Sequence, residues 1–230
     1  MRVFRGRAGT IDADREVSER LLEDAADGEP AVRVWTPHRQ VAFGRRDSRL
    51  DGYERAREAA RERGFPPIER SVGGRAVAYD GETTLAFARA EPIEDFRRGT
   101  DERYERLTTD VARTLAELGV VLERGEPDAS FCPGAHSLST SDRGGLRKVA
   151  GIAQRVRQDA ALVSGILVVD NRAELADVLE AVYGALGVAF DPDAVGSVAR
   201  VSGEDDPTTI ARVIEDGLVG DRNPEIVEVA

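Results

Sequence analysis

The stretch GLRKVAGIAQ, residues 145–154, carries Lys148, the only lysine in the chain; the other strongly basic side chains are all arginine. On a strand, beside the small Gly151 and Ala153, an ammonium reaches a phosphate or carbonyl oxygen as a compact point charge that planar arginine does not reproduce. An exposed strand lysine that escaped a drift toward arginine accounts for the residue equally well. A second candidate is ERSVGGRAVAYD, residues 69–80. Gly73 and Gly74 let a backbone approach a ligand, and Arg70 and Arg75 flank them as counter-charges for a carboxylate or phosphate. No Gly-Lys-Ser/Thr follows, so this is not a Walker loop, and a plain Gly-Gly turn is the simpler reading. The third candidate is Cys132 in SFCPGAHSLS, four residues before His136. A thiol near a base is a potential nucleophile; a small, partly buried thiol without chemistry is the commoner case.

The elements that must position these residues follow from periodicity. IDADREVSERLLEDAADG sets Val17, Leu21, Leu22 and Ala25 on one stripe and predicts a helix ending at Gly28. AVRVWTP and QVAFGR read as two strands around a turn at Pro37. DSRLDGYERAREAARERG predicts a helix closed by Gly64. RAVAYDGETTLAFARAE reads as a hairpin turning at Asp80-Gly81. DERYERLTTDVARTLAELG predicts a helix burying Leu107, Val111, Leu115 and Leu118. LRKVAGIAQRVRQDAALVSGILVVD reads as two long strands joined through RQDA. NRAELADVLEAVYGALG is a helix with Asn171 as N-cap and Glu174 three residues on. Asp206-Pro207 starts a further helix, and NPEIVEVA suits a last strand. Helices interspersed with strand pairs indicate an α+β fold with a mixed, largely antiparallel sheet flanked by helices.

Size and composition bound the function. At 230 residues the chain suits one sizeable domain, divided here into a catalytic body, 1–190, and a small C-terminal element, 191–230. Hydrophobic residues at 41% indicate a globular protein. No apolar run approaches the ~20 residues that span a bilayer, and the start lacks an apolar signal segment, so a cytoplasmic protein without membrane partners is expected. One cysteine and two distant histidines argue against a disulfide framework or a cysteine-rich zinc site; no metal ligand is assigned. A net charge of −11 repels phosphate backbones and disfavours nucleic-acid partners. Abundant acids with almost no lysine resemble proteins of salt-loving organisms; a GC-rich genome gives a similar bias.

The motifs also carry a resemblance. RSVGGRAVAYD resembles the Arg-x-x-Gly-Gly-Gly-x-Val-x-His-Asp motif of the lipoate–protein ligase A family, within the wider biotin/lipoate ligase superfamily. RKVAGIAQ resembles its Lys-Val/Ile-Ser/Ala-Gly-x-Ala motif. VAFGRRDS and ALVSGILVVD are similar to the strands that precede and follow these motifs, in the family's order, over residues 12–185 or so. The resemblance implies a fold like class II synthetase cores. It implies an enzyme that uses ATP and Mg²⁺ to turn lipoate into lipoyl-adenylate. The lipoyl group then passes to a lysine of a lipoyl domain of 2-oxoacid dehydrogenase complexes or of the glycine-cleavage H protein. By the same resemblance Lys148 is the catalytic cation. Arg70, Gly73, Gly74, Arg75, Ala76, Tyr79, Asp80, Gly151, Ala153, Ser164 and Gly165 surround the acyl-adenylate. A preorganised cation would stabilise charge on carbonyl or phosphate oxygens in both steps. Arg75 stands where a third glycine is expected, which suggests another loop path, and Tyr79 replaces the usual histidine. The chain lacks room for a full accessory domain, so a separate accessory ligase subunit is a further expectation.

Rival readings stay open. Octanoyl- and lipoyl-transferases of this fold form a thioester on a cysteine in the region of Cys132, although CPGAHS matches their usual motif poorly. Biotin ligation ranks behind lipoate, because only part of the biotin-type glycine loop is present. A non-catalytic paralogue that binds an acyl cofactor is the third.

Overall fold

A computed structural model of the protein describes residues 1–70, 74–142 and 144–230. Along the chain run β1 (Arg2–Arg5), α1 (Ile11–Ala26), β2 (Ala31–Trp35), β3 (Gln40–Phe43), α2 (Tyr53–Glu62), β4 (Pro67–Glu69), β5 (Val77–Tyr79), β6 (Thr84–Pro92) and α3 (Thr100–Ala116). There follow β7 (Glu123–Arg124), β8 (Ser137–Asp142), β9 (Gly145–Val156), β10 (Ala160–Val168), α4 (Arg172–Leu186), a 3-10 turn at Pro192–Ala194, α5 (Val198–Ser202), α6 (Pro207–Val219) and β11 (Glu225–Glu228). Eight strands form one sheet in the order β11-β1-β2-β6-β10-β9-β8-β7, parallel across β11-β1-β2 and antiparallel elsewhere. A second sheet, β4-β3-β5, is mixed. This is the α+β, largely antiparallel arrangement that the sequence indicates.

Strand alternation sorts the apolar residues to two sides. On one face Leu85, Phe87, Val149, Val163 and Leu167 pack under Leu107, Val111 and Leu115 of α3 and Ile210, Ile214 and Leu218 of α6. On the other, α1 covers the sheet with Leu21, Leu22 and Ala25. The small sheet packs there too, against α2 and α4 through Phe43, Tyr53, Val77, Val182 and Tyr183. The chain beyond residue 190 is built into this body. Asp206 caps α6 by accepting from Thr208 N at 3.0 Å and Thr209 N at 3.1 Å, and β11 pairs with β1.

The β9–β10 hairpin stands as expected, with Arg157 N donating to Ala160 O. The two strands expected around Pro37 form, but the hairpin expected at Asp80-Gly81 does not. β2 and β3 flank Pro37 but enter different sheets, as do β5 and β6 on either side of Asp80-Gly81. The reason lies in Asp80, whose buried carboxylate gathers the N–H groups of Glu82, Thr83 and Thr84 and so turns the chain from the small sheet into the large one. Asn171 precedes α4 but makes no side-chain cap; it adopts φ 55° and its Nδ2 donates to Asp80 Oδ2 at 3.1 Å.

Candidate functional site

Between the two sheets and α1 lies a cavity of about 220 Å³. Its floor is the large sheet, where Gly151 and Ala153 of β9, Ser164 of β10, and Ala86 and Ala88 of β6 face the space. Branched side chains at these positions would fill it; the run of small ones keeps it open. Gln40, Ala42, Ile68, Arg70 and Tyr79 form the opposite wall, with Trp35 and Pro37 beside them and Ile11, Asp14 and Ser18 on the α1 side. Gly165 serves packing: a Cβ there would lie 2.2 Å from the Phe87 ring.

Cys132 lies in the loop between β7 and β8 that leads toward this cavity. It adopts φ 40°, and Ala129 nearby adopts φ 53°, conformations that cost a non-glycine residue about 1–3 kcal/mol each. Three groups, Glu126 partly buried and Tyr183 and Lys148 fully so, hold the loop in that shape. Glu126 accepts from Gly134 N at 3.0 Å and from Ser137 Oγ at 2.9 Å. Tyr183 of α4 accepts from Cys132 N at 2.6 Å and donates to Ala76 O at 3.0 Å, joining the cysteine to the glycine-loop strand. Lys148 donates to Phe131 O at 2.8 Å, Cys132 O at 2.9 Å and Glu126 Oε2 at 3.2 Å, with its ammonium 4.8 Å from the Phe131 ring centre.

Lys148 is therefore a fully buried cation at the base of the cysteine loop and not an exposed strand lysine. Burial pulls its pKa down against the opposing pull of Cys132 and Glu126. Burial also pushes Glu126 up, but the Gly134 N–H, the Ser137 hydroxyl and Lys148 outweigh it and hold the carboxyl below its usual range. Gly151 packs over this lysine: a Cβ there would meet Lys148 Cε at 3.2 Å.

The thiol meets the second motif. Arg70 Nη2 lies 3.1 Å from Cys132 Sγ and also donates to Arg75 O. Arg70 Nε is buried without a partner among the described residues. Gly73 lies outside the described residues. Gly74 takes φ +91°, and a Cβ on it would stand 2.7 Å from Cys132 Sγ, so glycine is required both for conformation and for space. Arg75 is not among the residues with positive φ; the loop accommodates an arginine there because Gly74 makes the turn. Arg75 Nη1 instead reaches Asp47 Oδ1 at 3.3 Å, while Asp47 Oδ2 accepts from Gly44 N at 3.0 Å. Ala76 is fully buried below the loop.

Of the residues singled out in the sequence, Arg70, Tyr79, Gly151, Ala153, Ser164 and Gly165 line the cavity, and Cys132 and Gly74 meet at Arg70. Asp80 does not line it; its oxygens serve the turn and Asn171. His136 stacks on Tyr104 with ring centres 3.8 Å apart, and the thiol's side-chain partner is Arg70. Sequence reasoning missed Glu126, Tyr183 and Gln40. Glu126 and Ser137 bracket the cysteine motif and offered a weak signal; Tyr183 reads only as helix core. Among the described residues no three His, Cys, Asp or Glu side chains cluster to hold a metal ion, and no helix is long and apolar enough to cross a membrane.

Comparison with known proteins adds chemistry to this geometry. The chain is 34% identical over 169 residues to an octanoyl-[GcvH]:protein N-octanoyltransferase of Anoxybacillus flavithermus, covering 71% of this chain and 58% of that protein. It is 29% identical over 143 residues to a lipoyl-[GcvH]:protein N-lipoyltransferase of Listeria monocytogenes, covering 61% of this chain and 49% of that one. The chain thus spans about half the length of these relatives. In three dimensions it resembles a lipoate-protein ligase A bound with ATP, with a TM-score of 0.74 at 18% identity over 98% of this chain and 88% of the other; at that identity the likeness concerns fold.

These relatives correct the expectation of an ATP-dependent ligase that makes lipoyl-adenylate, and with it ATP and Mg²⁺ as cofactors. A transferase takes an acyl group already joined to a carrier, so no nucleotide is needed to activate a free acid. The ammonium of Lys148 is engaged by one carboxylate and two carbonyls of the cysteine loop. The family model of the lipoyl protein ligase A/B catalytic domain matches residues 13–216, and the chain belongs to that family.

Proposed function

We propose that this protein is an acyltransferase that moves an octanoyl- or lipoyl-type chain through a thioester on Cys132. The observation that carries the reading is the contact of Cys132 Sγ with Arg70, a residue that also lines the cavity. An arginine donor beside sulfur supports the negative charge a nucleophilic thiol develops. The names of the relatives support glycine-cleavage H protein as the carrier of the acyl group. A lysine on a lipoyl domain of a 2-oxoacid dehydrogenase is the acceptor, and the cytoplasm is the setting.

In the first step the sulfur attacks the carbonyl of an N-acyl-lysine. The S–C bond forms, the C–N bond breaks, and the thiol proton leaves with the carrier amine. In the second step the acceptor amine attacks the thioester, the new C–N bond forms, and the electron pair and a proton return to sulfur. Each step builds charge on the carbonyl oxygen. The Nε–H of Arg70, without a partner among the described residues, is a donor for that oxygen, and one such donor is worth about 3–4 kcal/mol. Lys148, Glu126 and Tyr183 act as positioning residues that hold the strained loop. The small-residue floor takes the acyl chain.

The test is ATP-free transfer from octanoylated H protein to a lipoyl domain by wild type and Cys132→Ser. Transfer by the wild type and none by the variant supports the reading; equal transfer by both removes Cys132 from the mechanism.

A further inference from the structure

After β3 the chain turns through GRRDSRLDG, residues 44–52, before α2 begins. Asp47 holds this turn from inside. It is fully buried; its N–H donates to Gly44 O at 3.0 Å, and its carboxylate accepts from Gly44 N and from Arg75. Gly44 lies against Gly74 and Gly52 against Ala185 of α4, both too closely for a Cβ. Arg45, Arg46 and Arg49 are left exposed on this anchored turn.

Among the described residues none of these three guanidinium groups makes an ion pair or a hydrogen bond. Many arginines elsewhere on the surface are taken by acids: Arg2 by Asp24 and Glu225, Arg61 by Glu58, Arg106 by Glu91, Arg124 by Glu105. The turn carries one exposed acid, Asp51. In a chain of net charge −11 this is a local reversal of sign. It also stands beside the site. A Cβ on Gly44 would lie 2.1 Å from Gly74 O, and one on Gly74 would lie 2.7 Å from Cys132 Sγ. One layer of backbone therefore separates the turn from the proposed nucleophile.

We infer that the turn 44–49 is a docking surface for the protein domain that brings the acyl-lysine to Cys132, and that this domain presents carboxylates beside its lysine. An acidic partner is repelled by the chain as a whole, so free cations are needed where the two meet. Three exposed charges spread over six residues suit a protein face; a single phosphate is gripped by convergent, enclosed donors. The inference rests on the acyl transfer proposed above.

The test compares two donors, octanoylated H protein and p-nitrophenyl octanoate, in acylating Cys132. Wild type is set against the triple variant Arg45→Glu, Arg46→Glu, Arg49→Glu and the matching triple glutamine variant. With octanoylated H protein at low salt, charge reversal is expected to cut kcat/KM by about tenfold or more and neutralisation by less, and added salt should shrink both differences. The small ester should acylate all three proteins alike, which also shows that the variants are folded. Equal kcat/KM with H protein in wild type and both variants overturns the docking surface and leaves acyl transfer standing. An equal loss with the ester overturns it too, by placing the arginines in the chemistry. Octanoyl-coenzyme A is the third donor; if it acylates wild type and suffers the same loss, the arginines are a phosphate site and the inference fails. A wild type that takes no octanoyl group from H protein defeats the carrier reading and this inference together.

Discussion

The sulfur of Cys132 lies 3.1 Å from Nη2 of Arg70, and the same guanidinium donates to the carbonyl of Arg75. One side chain thus joins the proposed nucleophile to the glycine loop, two motifs about sixty residues apart in sequence. Arg70→Gln is expected to slow acylation of Cys132 by about a hundredfold or more, the loss typical of one transition-state donor. Single-turnover acylation measures it. Arg70→Lys should recover only part, because an ammonium can replace the Nη2 donor to sulfur and carbonyl but supplies none at the place of Nε. An unchanged rate in Arg70→Gln would make the contact structural.

Lys148 binds three acceptors while fully buried. Lys148→Met leaves Glu126 without its cation and two loop carbonyls without their donor, and should destabilise the fold by about 1–3 kcal/mol, read from urea denaturation. Adding Glu126→Gln should return part of that loss, since the stranded charge is then gone. A double variant less stable by the full sum of the two single losses would contradict the pairing.

Gly44 approaches the glycine loop so closely that a Cβ would sit 2.1 Å from Gly74 O. Backbone cannot swing aside as a flexible side chain does. Gly44→Ala is therefore expected to cost about 1–3 kcal/mol and to lower acylation of Cys132 by displacing Gly74. A crystal structure of the variant with Gly74 unmoved would refute the coupling.

Glu126 gives the fold an acid limit. Its carboxyl is held below the usual range in the folded protein despite burial, so the unfolded chain takes up the proton first as pH falls. The stability it contributes is present above about pH 4.3, the ordinary glutamate pKa, and is lost as pH drops through the lower folded value. Glu126→Gln should be less stable than wild type at neutral pH, with a difference that shrinks on acidification. Denaturation midpoints at pH 7 and in steps below 4.5 measure the convergence; a difference independent of pH would assign the loss to packing.

Much of this fold can be read from local pattern. The stripe Leu107-Val111-Leu115 and the cap Asp206 speak for themselves, because helix periodicity and capping are local properties. The one misread hairpin fails for a tertiary reason: whether Asp80-Gly81 closes a hairpin or sends the chain to another sheet depends on which strands lie beside it. The site divides in the same way. Lys148, Arg70 and Gly74 are legible from composition and motif. That Lys148 faces the carbonyls of Phe131 and Cys132, and not an open cavity, depends on a loop sixteen to seventeen residues away. The pull of Cys132 toward Arg70 and the role of Tyr183 depend on contacts 62 and 51 residues apart, which no spacing announces.

The central claim is the thioester on Cys132, and intact mass spectrometry tests it directly. Protein mixed with octanoylated H protein, without ATP and without acceptor, should gain the mass of one octanoyl group. Peptide mapping should place that group on Cys132, added lipoyl domain should discharge it, and Cys132→Ser should not gain it. Transfer to the lipoyl domain with no acylated enzyme at any time point, and at full rate in Cys132→Ser, would contradict the account.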